Sequence, residues 1–475
     1  MKEELRELTP DEGLPDTSMP EKSAHRIVWS LAWPAIALNS LQSVNSLLDR
    51  KFLDAIGPDA LTASGAAFSV VFILFALAIA LGTAATALVS RFYGANENVN
   101  LITATRQSVT LGLLFGIVFG VLAYWAAPLL ASLFLDRTAH PKAFEYSILY
   151  LRPVAAAMPA LFTFNALASC MRAVGDTRTP MYVSGIQIFL HIVLNMFFMF
   201  PTRDVQILGK TYLMHGLDMG VMGSGLAFCV SAWFAMFAYF LVSNRTALGQ
   251  TWRLQYIRME WAIRILRIAW PAAIQNLIRA LSMVMFMMAL KLTAESAAAT
   301  GAMAMSISLE SMAFMPVFGY MIAASALVGQ SLGMKRPDRA ERLAWCAAHQ
   351  GVLVMVVMGA VLFFFARPLA HFFVTDPEQQ FLAMRYLQIM AISEPMFGYA
   401  VVLAGAHQGA GDTMRPTIVA VITNIGCRLG IAWTFAVWMQ LGTIAAWWAL
   451  SLSTILQGAL MIVFFRQGHW KTKQV

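Results

Sequence analysis

In the stretch SVNSLLDRKF, Asn45 and Ser46 lie four and three positions before Asp49, so a helix would stack an amide, a hydroxyl and a carboxylate on one face. Such a set can bind a small hard cation through its oxygens, or take a proton where desolvation favours the neutral acid. The competing reading is that Asp49 sits at the outer end of its helix and pairs with Arg50 or Lys51 at an interface. Six other ionisable residues, His191, Arg279, Glu310, Glu394, His407 and Arg428, also interrupt long apolar stretches. A charge near the centre of a bilayer costs roughly 2.5 to 3.5 kcal/mol on insertion scales, so each of these positions is a candidate for function.

The elements that must hold them are membrane helices. Of 475 residues, 59% are hydrophobic and 12% charged, about half the charged fraction of a soluble protein. The mean hydropathy is +0.66. Apolar stretches of 20 or more residues recur without strand-like alternation, which predicts an all-α integral membrane protein. Twelve spans are expected, at about 28–53, 62–90, 107–133, 150–171, 180–201, 219–243, 264–292, 297–331, 344–366, 386–408, 416–439 and 442–465. Residues 1–25 are charged, contain proline and lack an apolar core, so they read as a cytoplasmic tail.

Basic residues concentrate in the loops after spans 2, 6 and 8, including KRPDRAER at 335–342. The positive-inside rule puts these loops and both termini in the cytoplasm, giving a multi-pass protein of the cell (inner) membrane. The net charge of +8 therefore reports topology, and no nucleic-acid partner is expected. Cys170, Cys229, Cys346 and Cys427 show no metal or redox spacing. In GLLFGIVFG, 112–120, a glycine recurs every fourth residue, which allows close helix approach in lipid.

The chain repeats itself. LAWPAIALNSL at 31–41 matches IAWPAAIQNLI at 268–278, and ALVSRFYG at 87–94 matches ALVGQSLG at 326–333. The longest match sets 150–180 against 386–416, both opening on Tyr-Leu and closing on Gly-Asp-Thr and a proline. This predicts an N-lobe at 26–243, a cytoplasmic linker at 244–262, a C-lobe at 263–466 and a short cytoplasmic tail at 467–475. Two parallel six-helix bundles can rock against each other around a site between them. The turns Gly175, Asp176, Thr177, Pro180 and Gly411, Asp412, Thr413, Pro416 are expected to be structural: glycine for the reversal, aspartate as cap, proline in the opening turn.

LLDRKFLDAIGPDALTA, the paired RAVGDTRTP and GAGDTMRP turns and ALVGQSLG resemble the multidrug and toxic compound extrusion (MATE) transporters over the whole chain except its N-terminal tail. The resemblance implies a V-shaped pair of six-helix lobes that exports organic, often cationic, compounds in exchange for H⁺ or Na⁺. It places Asp49 on the family's acidic position in the first helix, and with Asn45 and Ser46 from the spacing and His191 and Asn195 from the fifth helix the expected cation-coupling site is Asp49, Asn45, Ser46, His191 and Asn195, with Na⁺ a possible ion at Asp49. Asn195 fits the family's pattern in the fifth helix. His191 departs from it, and an imidazole is a poorer Na⁺ ligand but a competent proton carrier near neutral pH. No cofactor is expected beyond the coupling ion, and the partners would be a small organic substrate and membrane lipids, with the chain a monomer.

Glu310 and Glu394 have no acidic counterparts in the first half. They are expected either to face a substrate cavity or to pair with Arg279 and Arg428. An enzyme is not expected: HQGAGD has the His-x4-Asp spacing of some acyltransferases, but its copy MRAVGD keeps the Asp and puts Met171 at the histidine. No GxxxxGK[ST] loop for ATP occurs. The rival readings are a flippase for a lipid-linked saccharide of the same broad superfamily and, behind it, a passive channel.

Overall fold

The computed structural model describes residues 21–207, 210–249, 251, 253–293, 296–374 and 376–473. Among the described residues twelve long helices run in alternating directions. The first half contributes α1 (Glu21–Ile56), α2 (Pro58–Gly94), α3 (Asn98–Trp125), the short α4 (Ala127–Ser132), α5 (Pro141–Ala173), α6 (Arg178–Met199) and α7 (Gly220–Ser243). The second contributes α8 (Met259–Lys291), α9 (Ser296–Gly333), α10 (Pro337–Phe364), the short α11 (Ala366–Phe373), α12 (Pro377–Gly409), α13 (Met414–Trp438) and α14 (Gly442–Arg466).

Eleven of the long helices are long and apolar enough to cross a membrane; α1 is as long but more polar, and it carries Asp49. The expected tail at 1–25 lies outside the described residues up to residue 20, and from Glu21 the chain is already helical. Two features go beyond the expected spans. Between α6 and α7 an antiparallel hairpin, β1 (Pro201–Ile207) and β2 (Lys210–Leu217), pairs Pro201 with Leu217 and Ile207 with Lys210. The stretch expected as one span at 107–133 breaks at Ala126, where Pro128 opens α4. The same break separates α10 from α11 in the second half. We call the two ends of the bundle the hairpin end and the basic end, after β1–β2 and the basic loops.

Glycine sets the closest packing. A Cβ on Gly116 would lie 2.6 Å from Pro159 Cα, and one on Gly120 2.7 Å from the Ala155 carbonyl oxygen, so the glycine face of α3 lets its backbone rest against α5. Among the described residues six prolines interrupt five long helices without ending them: Pro34 in α1, Pro153 and Pro159 in α5, Pro271 in α8, Pro316 in α9 and Pro395 in α12. Each proline costs its helix one ladder hydrogen bond. Helix α13 is wound wide, as π-helix over Val421–Leu429 and Ala432–Trp438. Its counterpart α6 is a regular α-helix.

The two halves exchange helices at the basic end. Ala24, Val28, Leu31 and Ala32 of α1 are buried in the core formed by α9, α10 and α12 of the second half. Trp261, Ile265 and Ile268 of α8 are buried in the core of α2, α3 and α5 of the first. Toward the hairpin end α1 turns to α6, and α1, α2 and α8 expose Leu41, Leu47, Phe68, Val284 and Met288. Among the described residues the buried clusters toward the hairpin end draw on one half only, whereas those at the basic end draw on both, so the halves interlock there.

Candidate functional site

Asp49 lies two turns from the hairpin end of α1, where that helix packs on α6. The α-helical rise puts Asn45 one turn below it, and Asn45 Nδ2 donates to Asp49 Oδ2 at 3.2 Å. From α6, Asn195 Nδ2 donates to Asp49 Oδ1 at 2.6 Å, and His191 Nε2 lies 3.2 Å from the same oxygen. Asn195 Nδ2 is also 2.8 Å from His191 Nε2, closing a triangle of carboxylate, amide and imidazole. The side chain of Asp49 is 26% exposed and that of His191 5%, so the carboxylate can be reached while its partners are enclosed. The Phe228 ring of α7 meets the imidazole edge to face at 6.1 Å.

Two oxygens of this cluster have no partner: Asn45 Oδ1 and Asn195 Oδ1 are buried without a donor. An amide oxygen left so beside a carboxylate is what a proton or hard cation would satisfy. Ser46 stands apart: its hydroxyl donates to Gln42 O of its own helix, on an exposed surface. Arg50 and Lys51 are exposed, and among the described residues neither forms an ion pair with Asp49.

The second half gathers a different set. Glu310 of α9 accepts a hydrogen bond from the Tyr386 hydroxyl of α12 at 2.8 Å, and the Tyr386 ring packs edge to face on Trp447 of α14 at 5.6 Å. Glu394 is buried, and neither carboxyl oxygen has a hydrogen-bond partner. Arg428 Nε donates to Ser453 Oγ at 3.1 Å. Of the two alternatives for Glu310 and Glu394, pairing with Arg279 and Arg428 does not occur among the described residues. Glu310 Oε2 is taken by the Tyr386 hydroxyl and Arg428 Nε by Ser453 Oγ.

Tyr386 was not singled out from the sequence, although a signal was there: it is the repeat partner of Tyr150 in the Tyr-Leu opening of the long match. Tyr150 in turn lies within electrostatic range of Asp49. Only Tyr386 of the pair hydrogen-bonds a carboxylate among the described residues.

The two Gly-Asp-Thr turns differ in detail. Gly175 and Gly411 adopt φ of +89° and +79°, conformations that other residues rarely take. Asp176 accepts the Thr179 backbone N–H at 3.0 Å, capping α6. Asp412 instead accepts from His407 Nδ1 at 3.2 Å and from Arg415 Nη1 at 3.0 Å. Thr413 donates to Ile268 O at 3.0 Å, tying its turn to α8. Pro180 and Pro416 are both buried in the opening turn of their helices.

Residues 34–197 and 271–434 each match the MatE family. The chain is 27% identical over 470 residues to the probable multidrug resistance protein NorM of Thermotoga maritima, covering 97% of this chain and 96% of that protein. A solved structure of MATE in complex with MaL6 superposes with a TM-score of 0.84 at 19% identity, covering 94% of this chain and 96% of that one. The outward-facing conformation of a multidrug resistance MATE family transporter superposes with a TM-score of 0.82 at 20% identity, covering 94% and 95%. With both halves matched, the chain belongs to the MatE family and is a multi-pass membrane transporter, not an enzyme.

Proposed function

We propose that this transporter is an antiporter of the cell membrane, exporting small organic, chiefly cationic, compounds by alternating access in exchange for H⁺ or Na⁺ bound at Asp49. It works as a monomer in lipid, with both termini in the cytoplasm, a reading supported by the basic loops lying at the same end of the bundle as the start of α1 and the end of α14. The observation that carries the reading is the Asp49 cluster itself: a reachable carboxylate bridging α1 and α6, beside two buried amide oxygens that have no donor.

The chemistry follows from hydrogen-bond inventory. An ionised Asp49 can only accept, so Asn195 and Asn45 turn their N–H groups toward it, as the distances of 2.6 and 3.2 Å record. A proton on Asp49 would make it a donor, and Asn195 would then present Oδ1 in place of Nδ2. Loading the site thus changes what α1 and α6 exchange, and can bias how the first half packs. An imidazole within reach of the same oxygen favours H⁺ over Na⁺.

Everted vesicles containing the protein should take up a cationic dye when a pH or Na⁺ gradient is imposed. Dissipating the pH gradient should stop uptake in the H⁺ case, and removing Na⁺ in the other. Uptake indifferent to both gradients would overturn the coupling.

A further inference from the structure

The matched segments ALVSRFYG and ALVGQSLG end α2 and α9 at the basic end, and there they meet each other. A Cβ on Gly94 would lie 2.8 Å from the Gln330 carbonyl carbon, and one on Gly333 would lie 3.0 Å from the Arg91 carbonyl carbon. Each glycine is therefore met by the residue three places before the glycine of the other copy, the reciprocal pattern of a two-fold contact. Between them a Cβ on Gly329 would stand 2.8 Å from Ser90 Cβ, and Ser90 and Gly329 are equivalent positions of the two copies. Backbone touches backbone at this crossing, and no larger side chain fits.

The polar residue of each copy then reaches past the crossing. Gln330 Nε2 donates to the Ala173 carbonyl at 2.7 Å, at the end of α5 in the first half. Arg91 Nη1 donates to the Lys473 carbonyl at 2.7 Å, just beyond α14 in the second half. Both bonds join one half to the other, and both use a backbone carbonyl, so neither depends on the charge of the acceptor. The segment holding Lys473 is itself anchored: Trp470 is buried and stacked on Phe465 at 4.7 Å, and Lys471 pairs with Glu341 at 2.5 Å.

We infer that Gln330 and Arg91 are positioning residues that hold the passage shut at the basic end, and that their two cross-half hydrogen bonds break each time the halves part there. The inference rests on the alternating-access reading above. Gln330 carries more of it, because its bond is buried and that of Arg91 is exposed.

The test uses Ser90→Cys as a reporter, with Cys170, Cys229, Cys346 and Cys427 replaced by serine, and a membrane-impermeant maleimide applied in right-side-out and everted vesicles. Ser90 is fully buried at the crossing, so the parent should label slowly from either side. Gln330→Ala should speed labelling from the basic end about fivefold, the expected effect of losing one such bond. Arg91→Ala should do so by less, and the double variant by more than either. Gly65→Ala, in the same helix but facing open space, should leave the rate unchanged. Labelling unchanged in the double variant, or increased from the hairpin end, would overturn the inference. Should the cysteine-free protein fold poorly, backbone deuterium exchange in 87–94 and 326–333 serves with native cysteines. Gln330→Ala should accelerate it there, and unaltered exchange would equally overturn the proposal. Both readouts report the seal alone, so a failure of ion-driven uptake counts against the proposed function and leaves this result standing.

Discussion

The two halves share a scaffold and place their carboxylates in opposite circumstances. In the first half Asp49 is partly open and accepts bonds from two amides beside an imidazole. In the second, Glu310 has one hydroxyl donor and Glu394 has none, and both are buried. A carboxylate that trades ions must be reachable and must have ready partners in both of its states. Glu394 meets neither condition in this conformation. The two halves thus share the frame, including Tyr150 and Tyr386, while their carboxylates stand on different helices: α1 in one half, α9 and α12 in the other.

Transport measurements would break this contrast most sharply. Asp49→Asn removes a charge that accepts two amide hydrogen bonds, each worth about 1.5 to 3 kcal/mol where the acceptor is ionised. Ion-driven uptake in vesicles should fall by roughly tenfold or more, with the protein still present in the membrane. Glu310→Gln and Glu394→Gln should leave the ion dependence in place and shift the range of compounds carried. If instead the glutamate variants lose ion dependence and Asp49→Asn keeps it, the second half holds the coupling site.

The repeated tyrosine gives a smaller and purely structural test. Tyr386→Phe leaves the buried Glu310 without its 2.8 Å donor and should cost about 1 to 3 kcal/mol, read as a lower midpoint of thermal unfolding in detergent. Tyr150 has no such bond among the described residues, and Tyr150→Phe should move the midpoint by less than about 0.5 kcal/mol equivalent. Equal losses would mean that the two tyrosines do the same work, and the halves would be more alike than their hydrogen bonds suggest.

Much of this was legible in the residues, for identifiable reasons. Hydropathy and length gave the spans because lipid forces every backbone group into a helix. The repeats gave the two halves, and the spacing of Asn45 and Asp49 gave a contact that lies within one helix. The contact of Asp49 with His191 and Asn195 depends on how α1 and α6 are turned against each other, which no local pattern encodes; there the family resemblance supplied the pairing. Glu310 and Glu394 show the limit of depth arguments: position along a helix places an acid in the membrane but does not say which neighbour it faces. The hairpin is too short and too polar to stand out among apolar spans, although Val205, Ile207, Thr211 and Tyr212 are residue types that favour strands.

The smallest expected effect separates the two Gly-Asp-Thr turns, which lie outside the membrane spans. Burial acts to raise the Asp412 carboxyl, but the hydrogen bond from His407 and the charges of His407, Arg415 and Lys473 outweigh it and hold the group below the usual carboxylate range. A value lowered on folding stabilises the native state at neutral pH, and that contribution persists down to the unfolded value of about 4. It fades as the pH falls further, through the folded value. Asp412→Asn should therefore cost about 1 kcal/mol at pH 7, with the gap to the parent closing below about pH 4. Asp176 serves mainly as a helix cap through Thr179 N–H, a role asparagine fills equally well, so Asp176→Asn should cost only a few tenths of a kcal/mol. Unfolding midpoints of both variants between pH 3 and 7 check this, and a gap for Asp412→Asn that widens on acidification would show that its partners do not stabilise the ionised form.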